Sequence, residues 1–135
     1  MHLAGRTVRL RKLSKALPIT PVGEPNGEWL RLEIALRGYS VRLRACQVQV
    51  GRVKLLLLDS NDAANLPAHR GITGGLCGGG PELRLKREML LGIGGWRLLV
   101  ALSIKPDVCQ ANEGHAAFAV LERVRSFMKS SGQPI

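Results

Sequence analysis

Alternation of apolar and polar residues in the first half of the chain predicts a β-hairpin. In Leu30–Leu36 every second residue is apolar, which is the pattern of a strand buried on one face. Tyr39–Val50 alternates again, and its Arg42 and Arg44 fall on the polar side. Between the two stretches lies Arg37-Gly38, a pair typical of a tight turn. We therefore expect the two strands to pair antiparallel.

Two apolar stretches further along predict buried strands. Val53–Leu58 is nearly continuously apolar, as is typical of strands covered on both faces in a parallel sheet. Asp107–Gln110 is shorter, with Val108 and Cys109 as its apolar residues. Because helical crossovers link parallel strands, we expect these two strands to be parallel neighbours or near neighbours.

Helical spacing follows in two places. Pro81–Leu102 predicts a long helix with proline at its favoured first position. Gly92, Gly94 and Gly95 are unfavourable inside a helix, so they indicate either close packing on the sheet or a local break. A second helix is predicted from about Gly114. Its apolar residues share one face: Ala117, Val120, Leu121, Val124 and Met128. Strands and helices together predict an α/β fold.

Length and composition indicate one domain flanked by two tails. With 135 residues, 45% of them hydrophobic, the chain suffices for one domain with a packed core. We assign residues 17–128 to that domain and residues 129–135 to a polar tail. Residues 1–16 carry five basic and no acidic side chains. We interpret them as a mobile basic tail, with a nucleic-acid-binding arm as the alternative.

Charge and cysteine content limit the classes of partner and the cellular compartment that we expect for this chain. The net charge of +10 raises nucleic acid as a candidate, but an aromatic content of 4% and the lack of a known reader motif disfavour it. Three cysteines, far apart in the chain, disfavour a disulfide framework or a zinc site and favour a reducing cytoplasm. No apolar run approaches the roughly 20 residues of a membrane span, so we expect no membrane partner.

Two groups of residues could bind a ligand. Glu113 and His115 stand in a turn after the second buried strand, where ligands of open α/β sheets bind. They could form hydrogen bonds with sugar hydroxyls or transfer protons. Alternatively, Glu113 could interact with the helix dipole, and His115 could be an ordinary surface residue. Arg84, Lys86 and Arg87 form a basic cluster near the start of the long helix, which fits either anion or sugar contact or a solvated face.

Three long motifs resemble one family. LLLDSNDAANLPAHRGIT begins at Leu56, LCGGGPELRLKREMLLGIGGWRLLVALSIKPDV at Leu76 and NEGHAAFAVLERVR at Asn112. In this order, from near Leu17 to about Phe127, they are similar to the α-glucan (glycogen-type) phosphorylases of the short form. The resemblance covers most of this chain but only a small part of a whole phosphorylase. It implies an internal fragment of the N-terminal Rossmann-like domain of a two-domain glycosyltransferase of the GT-B type.

The resemblance also implies a reaction, a cofactor and site residues. The family transfers a terminal glucosyl unit from an α-1,4-glucan to phosphate, giving glucose 1-phosphate, and holds pyridoxal phosphate on a lysine of its C-terminal domain. The implied substrate-binding residues are Asn112, Glu113, His115, Arg84 and Lys86. No lysine of this chain stands in the cofactor-lysine motif; they are Lys12, Lys15, Lys54, Lys86, Lys105 and Lys129. We therefore expect no cofactor to bind this chain alone.

The sequence departs from the family at three places. Cys77-Gly78-Gly79-Gly80 stands where the family usually has Tyr-Gly-Gly-Asp, and Arg87 replaces a glutamine. Gln110 replaces a histidine, which removes a group that could titrate. The functions of the replaced tyrosine, aspartate and histidine are therefore in doubt for this chain.

Three hypotheses for function follow. The first is a phosphorylase fragment that is inactive alone, because one side of a cleft cannot surround a transition state. Its partners would be α-glucan, phosphate and the missing remainder of a phosphorylase. The second is a non-catalytic sugar-binding or complementing subunit. The third is a basic nucleic-acid-binding protein.

Overall fold

A computed structural model describes residues 18–75 and 79–134, apart from the side chain of Glu113. The predicted basic tail, residues 1–16, lies outside the described residues, as do Cys77 and Gly78. Within the described part of the chain, no helix has the length and apolar content needed to cross a membrane.

The predicted hairpin is confirmed and forms the centre of an antiparallel sheet. Arg31 lies opposite Arg44 and Leu36 opposite Tyr39. Gly38, in the turn, has a φ of +84°, a left-handed conformation that glycine adopts without strain. The long third strand pairs with each of the others. The strands are β1 (Thr20–Pro21), β2 (Arg31–Leu36), β3 (Tyr39–Val50) and β4 (Val53–Asp59).

The prediction of two parallel buried strands is wrong. A strand does form at Val53–Leu58, as part of β4, but it pairs antiparallel with β3. Only Gly51 and Arg52 separate the two strands, and so short a connection joins antiparallel neighbours. Asp107–Gln110 forms no strand, and its Val108 is 77% exposed. Among the described residues every strand pair is antiparallel, so the fold combines helices with an antiparallel sheet.

The predicted long helix is confirmed and covers one face of the sheet. A single turn, α1 (Pro67–Arg70), precedes it, and the helix itself is α2 (Pro81–Ala101), without a break at its glycines. A Cβ added at Gly94 would lie 2.9 Å from Cδ1 of Leu43 and 3.0 Å from Cδ1 of Leu58. Close packing on the sheet therefore explains this glycine.

The core lies between α2 and the sheet. From the helix, Leu90, Leu98 and Leu99 are buried. Aliphatic side chains from the strands and the adjoining loops surround them: Val22, Leu30, Ile34, Val41, Leu43, Ala45, Leu56 and Ile72. The low aromatic content thus leaves a core built mainly from Leu, Ile, Val and Ala.

A polar network holds the loop that follows β4. The buried Asn65 accepts a hydrogen bond from the Arg42 N–H at 2.8 Å and donates to the carbonyls of Arg42 and Ser60, each at 2.7 Å. Arg31 pairs with the buried Asp62 at 3.0 Å, and Arg44 pairs with Asp59. The loop is therefore fixed to β2 and β3 through side chains that sequence periodicity does not mark.

The last helix packs on α2 through small and polar residues. A 3-10 turn (Glu113–Ala116) leads into α3 (Ala117–Ser130), in which Ala119 and Glu122 are buried. A Cβ added at Gly92 would lie 2.6 Å from Cβ of Phe118 and 2.7 Å from the backbone nitrogen of Ala119. Glycine at this position therefore allows the two helices to approach closely.

The apolar face predicted for α3 points away from α2. Val120, Leu121 and Val124 are each more than half exposed. On the inner side, the Glu122 carboxylate accepts hydrogen bonds from Arg97 at 2.8 Å and Arg125 at 2.9 Å. The helix is thus held by an ion-pair group on its inner side, while its apolar side faces outward.

Candidate functional site

Two of the predicted site residues meet at one carboxylate. Arg84 and Glu88 are one turn apart on α2, and the Arg84 Nε donates to the Glu88 carboxylate at 2.9 Å. His115, on the 3-10 turn before α3, brings its Nδ1 to 3.4 Å from the same carboxylate oxygen. The Glu88 side chain is largely buried, whereas those of Arg84 and His115 are 67% and 50% exposed. Glu88 therefore anchors two polar groups that reach solvent.

Lys86 belongs to a separate group. Its Nζ lies 2.5 Å from a carboxylate oxygen of Glu82 and 5.7 Å from the centre of the Tyr39 ring. Tyr39 in turn stacks on His69, with ring centres 4.0 Å apart. The contact with Glu82, followed by that with Tyr39, raises the pKa of Lys86 above its ordinary value. Lys86 therefore stays protonated and places a positive charge beside the stacked rings of Tyr39 and His69.

The predicted position of the Asn112–His115 segment needs a correction. No strand precedes it, so these residues do not lie beyond the carboxyl end of a parallel strand. Asn112 takes the N-cap position of the 3-10 turn with an extended backbone, but its side chain makes no capping hydrogen bond. The side chain of Glu113 lies outside the described part of the structure. Packing of the 3-10 turn on α2, rather than a sheet edge, brings His115 to Glu88.

The glycine-rich segment is described only in part. Gly79 has a φ of +84°, and Gly80 takes the N-cap position of α2. The prediction that the loop Gly78–Gly80 faces the same side as His115 involves Gly78, which lies outside the described residues. On α2, the Arg87 Nε donates to the Ile72 carbonyl at 2.8 Å and ties the helix to the segment after α1. The arginine that replaces the family's glutamine therefore makes a backbone contact.

Sequence reasoning assigned no site role to three participants. Glu88 belongs to the motif that resembles the family, and its spacing of four residues from Arg84 is that of a helical ion pair. Tyr39 and His69 had no such signal, since they lie on β3 and α1 and only the tertiary fold stacks their rings. The basic cluster expected from the sequence is thus divided among three partners: Arg84 pairs with Glu88, Lys86 with Glu82, and Arg87 with the Ile72 carbonyl.

Part of the positive charge of the described residues is engaged in contacts within the chain. Ion pairs with carboxylates involve the basic residues Arg31, Arg44, Arg84, Lys86, Arg97 and Arg125. Cation–ring contacts involve Arg44 with Trp29 and Arg123 with Trp96. A phosphate backbone would have to compete with these internal partners for the six paired side chains.

The chain is similar to curated proteins over most of its length. It is 43% identical to maltodextrin phosphorylase of Thermococcus litoralis over 113 residues, 84% of this chain. It is 40% identical to glycogen phosphorylase of Mycobacterium tuberculosis over 124 residues, 87% of this chain. It is 32% identical to glycogen phosphorylase of Aquifex aeolicus over 113 residues. The chain spans only 14% of the first two relatives and 16% of the third.

Other comparisons add no further relationship. No protein-family model matches the chain, and no solved structure matches it. The curated relatives nevertheless carry the names of the family that the sequence resembles, so the predicted resemblance is confirmed. The chain therefore corresponds in sequence to a segment of the maltodextrin and glycogen phosphorylases.

Proposed function

We propose that this chain supplies part of the glucan-binding surface of an α-1,4-glucan phosphorylase. The observation that carries the proposal is the group formed by Arg84, Glu88 and His115. The similarity to proteins named maltodextrin and glycogen phosphorylase supports it. In the whole protein, the reaction would transfer a terminal glucosyl unit from the glucan to inorganic phosphate.

The chemistry of the group suits sugar hydroxyls. A hydroxyl both donates and accepts hydrogen bonds, and the His115 imidazole, whose Nδ1 lies 3.4 Å from the Glu88 carboxylate, has Nε2 as a second polar atom. Glu88 restrains His115 and Arg84 together, so less side-chain freedom is lost when a sugar binds. Asn112 and the backbone of Glu113 begin the same 3-10 turn, and we assign them to the same surface.

Lys86 would lie at the edge of the glucan-binding surface and contribute a positive charge there. It is separated from His115 by its own partners, Glu82 and Tyr39. An ammonium beside stacked rings can attract an anion such as phosphate or orient a sugar oxygen. We therefore assign Lys86 a supporting role and give the central role to His115 and Arg84.

Lys86 does not fit the role of the lysine that holds pyridoxal phosphate. A lysine that forms a Schiff base must lose its proton, whereas the contact with Glu82 raises the pKa of Lys86. The cofactor, which would supply the phosphate group that assists glucosyl transfer, would be held by the remainder of the protein. We also infer that this segment belongs to the N-terminal Rossmann-like domain, whose parallel strands would lie in that remainder.

The test is glucan binding by the 135-residue chain. Maltoheptaose should bind weakly, with a Kd on the order of millimolar, because only part of the sugar is covered. His115→Ala and Arg84→Ala should each weaken binding about 3- to 10-fold through the loss of a hydrogen bond. Isothermal titration calorimetry measures both effects, and Lys129→Ala on α3 is the matched control that should bind as the parent does.

An activity assay completes the test. With pyridoxal phosphate, maltoheptaose and phosphate, the 135-residue chain should release no glucose 1-phosphate above a protein-free blank. Turnover that persists through further purification would contradict the assignment of a partial site. Absence of maltoheptaose binding, or equal binding by the parent and both site variants, would contradict the proposed glucan surface.

A further inference from the structure

The apolar side of α3 is exposed as a continuous surface. Val120, Leu121, Val124 and Phe127, here called the outer stripe, are exposed by 56%, 64%, 51% and 66%. Their spacing places them on one side of the helix, opposite the buried Ala119 and Glu122. Single exposed apolar residues are common on proteins, but a continuous apolar surface marks an interaction site.

The packing of α3 fixes the stripe in this outward orientation. Gly92 brings Phe118 and Ala119 against α2, and Glu122 is bonded to Arg97 on α2. Turning the helix to bury the stripe would carry the Glu122 carboxylate away from Arg97 and place larger side chains over Gly92. The stripe is therefore available to a partner rather than to the core of this chain.

Charge disfavours a second copy of the chain as that partner. Arg123 and Arg125 flank the stripe on the same helix, and the chain carries a net charge of +10. Two such helices face to face would bring like charges together. The surface fits an apolar patch with acidic residues at its rim.

We propose that the outer stripe docks this segment onto the remainder of a phosphorylase polypeptide. This inference rests on the proposed function. We choose this partner because the chain spans only 14% of the similar maltodextrin phosphorylase and glycogen phosphorylase described above. Most of the length of each relative has no counterpart here and could provide the apolar patch.

Cysteine labelling tests the proposal. Val124→Cys on the stripe and Lys129→Cys on the other side of α3 are each made in a background with Cys77→Ser and Cys109→Ser. Cys46 is retained, because burial, with a smaller contribution from Asp59, raises its pKa to about 11 and makes it unreactive while the sheet is folded. Each variant is prepared as the 135-residue chain and as residues 18–134 replacing the matched segment of the Thermococcus litoralis maltodextrin phosphorylase.

Maleimide should label Val124→Cys at least about 10-fold more slowly in the chimera than in the 135-residue chain. Lys129→Cys should label at similar rates in both, and Cys46 should stay unlabelled in both. Equal rates for Val124→Cys would overturn the proposal. Slow labelling of Val124→Cys in the 135-residue chain, together with the mass of a dimer by light scattering, would also overturn the proposal. It would show that a second copy of the chain covers the stripe. Rapid labelling of Cys46 in the chimera would also overturn the proposal. It would mean that the segment does not fold when it is joined to the remainder of the phosphorylase.

A glucose 1-phosphate assay of the chimera separates this inference from the proposed function. An active chimera with an unprotected stripe would retain the function and refute the docking surface. A protected stripe in an inactive chimera would retain the docking surface and count against the function.

Discussion

The two sides of α2 are packed by different means. Toward the sheet, Leu90 and Leu98 are buried among aliphatic side chains. Toward α3, the contact depends on Gly92 and on the bond between Arg97 and Glu122. The first side completes a core within this chain, whereas the second leaves the outer stripe of α3 exposed. Apolar periodicity thus identifies the residues that should be covered but does not identify the element that covers them.

The largest expected difference is between two matched leucine truncations. Leu43→Ala removes a side chain with no exposure and should lower the free energy of unfolding by about 3 kcal/mol, through lost burial and the cavity left behind. Leu121→Ala removes a side chain that is 64% exposed and should change it by less than about 0.5 kcal/mol. Urea denaturation of the 135-residue chain measures both. Similar losses for the two variants would mean that the stripe is already covered in this chain.

A smaller effect separates two glycines of α2. Gly92→Ala would press a methyl group against Cβ of Phe118 and the backbone of Ala119, which cannot move without displacing α3. We expect a net loss of about 1.5 kcal/mol, because overpacking outweighs the better helix propensity of alanine.

Gly94→Ala is the matched substitution on the sheet side. Its methyl group would meet the ends of the Leu43 and Leu58 side chains, which can change rotamer, and would touch Cδ1 of Ile34 at an ordinary contact distance of 3.9 Å. The free energy of unfolding should therefore change by less than about 1 kcal/mol. If Gly94→Ala proved the more destabilising variant, the tighter contact would lie at the sheet rather than at α3.

The sequence predicted local structure better than strand partners. Alternation found the hairpin, because side chains of a half-buried strand face core and solvent in turn. A nearly continuous apolar run found β4. The apolar run Val53–Leu58 also suggested a parallel sheet, but the two-residue connection at Gly51 and Arg52 determined an antiparallel pair. The short apolar pair at Val108 and Cys109 found no strand partner among the described residues.

The candidate site was predictable only where its residues are close in sequence. His115, Arg84 and Lys86 came from motifs, and the spacing of Arg84 and Glu88 indicates a helical pair. The meeting of His115 with Glu88 depends on how the 3-10 turn packs on α2, which no local pattern encodes. The same holds for the stacking of Tyr39 on His69.

The smallest expected effect compares two carboxylates, one in the loop after β4 and one on α2. Burial alone would raise the pKa of Asp62, but the N–H of Ala64 and the Arg31 guanidinium outweigh it, so its pKa lies below the ordinary value of 3.8. Lys86 likewise lowers the pKa of Glu82, which is exposed to solvent. A lowered pKa in the folded chain adds stability that is present above the ordinary pKa and is lost as the pH falls through the folded value.

Stability should therefore decline below about pH 4, and Asp62 should contribute to that decline more than Glu82 does. Asp62→Asn should lower the free energy of unfolding by about 1 kcal/mol at neutral pH and flatten its fall in acid, because the buried pair with Arg31 is lost. Glu82→Gln should leave the acid profile close to that of the parent, because water and salt screen an exposed pair. Urea denaturation at several pH values between about 7 and 3 gives the two profiles. A flatter profile for Glu82→Gln than for Asp62→Asn would place the acid-sensitive interaction on α2 instead of in the loop that fixes the sheet.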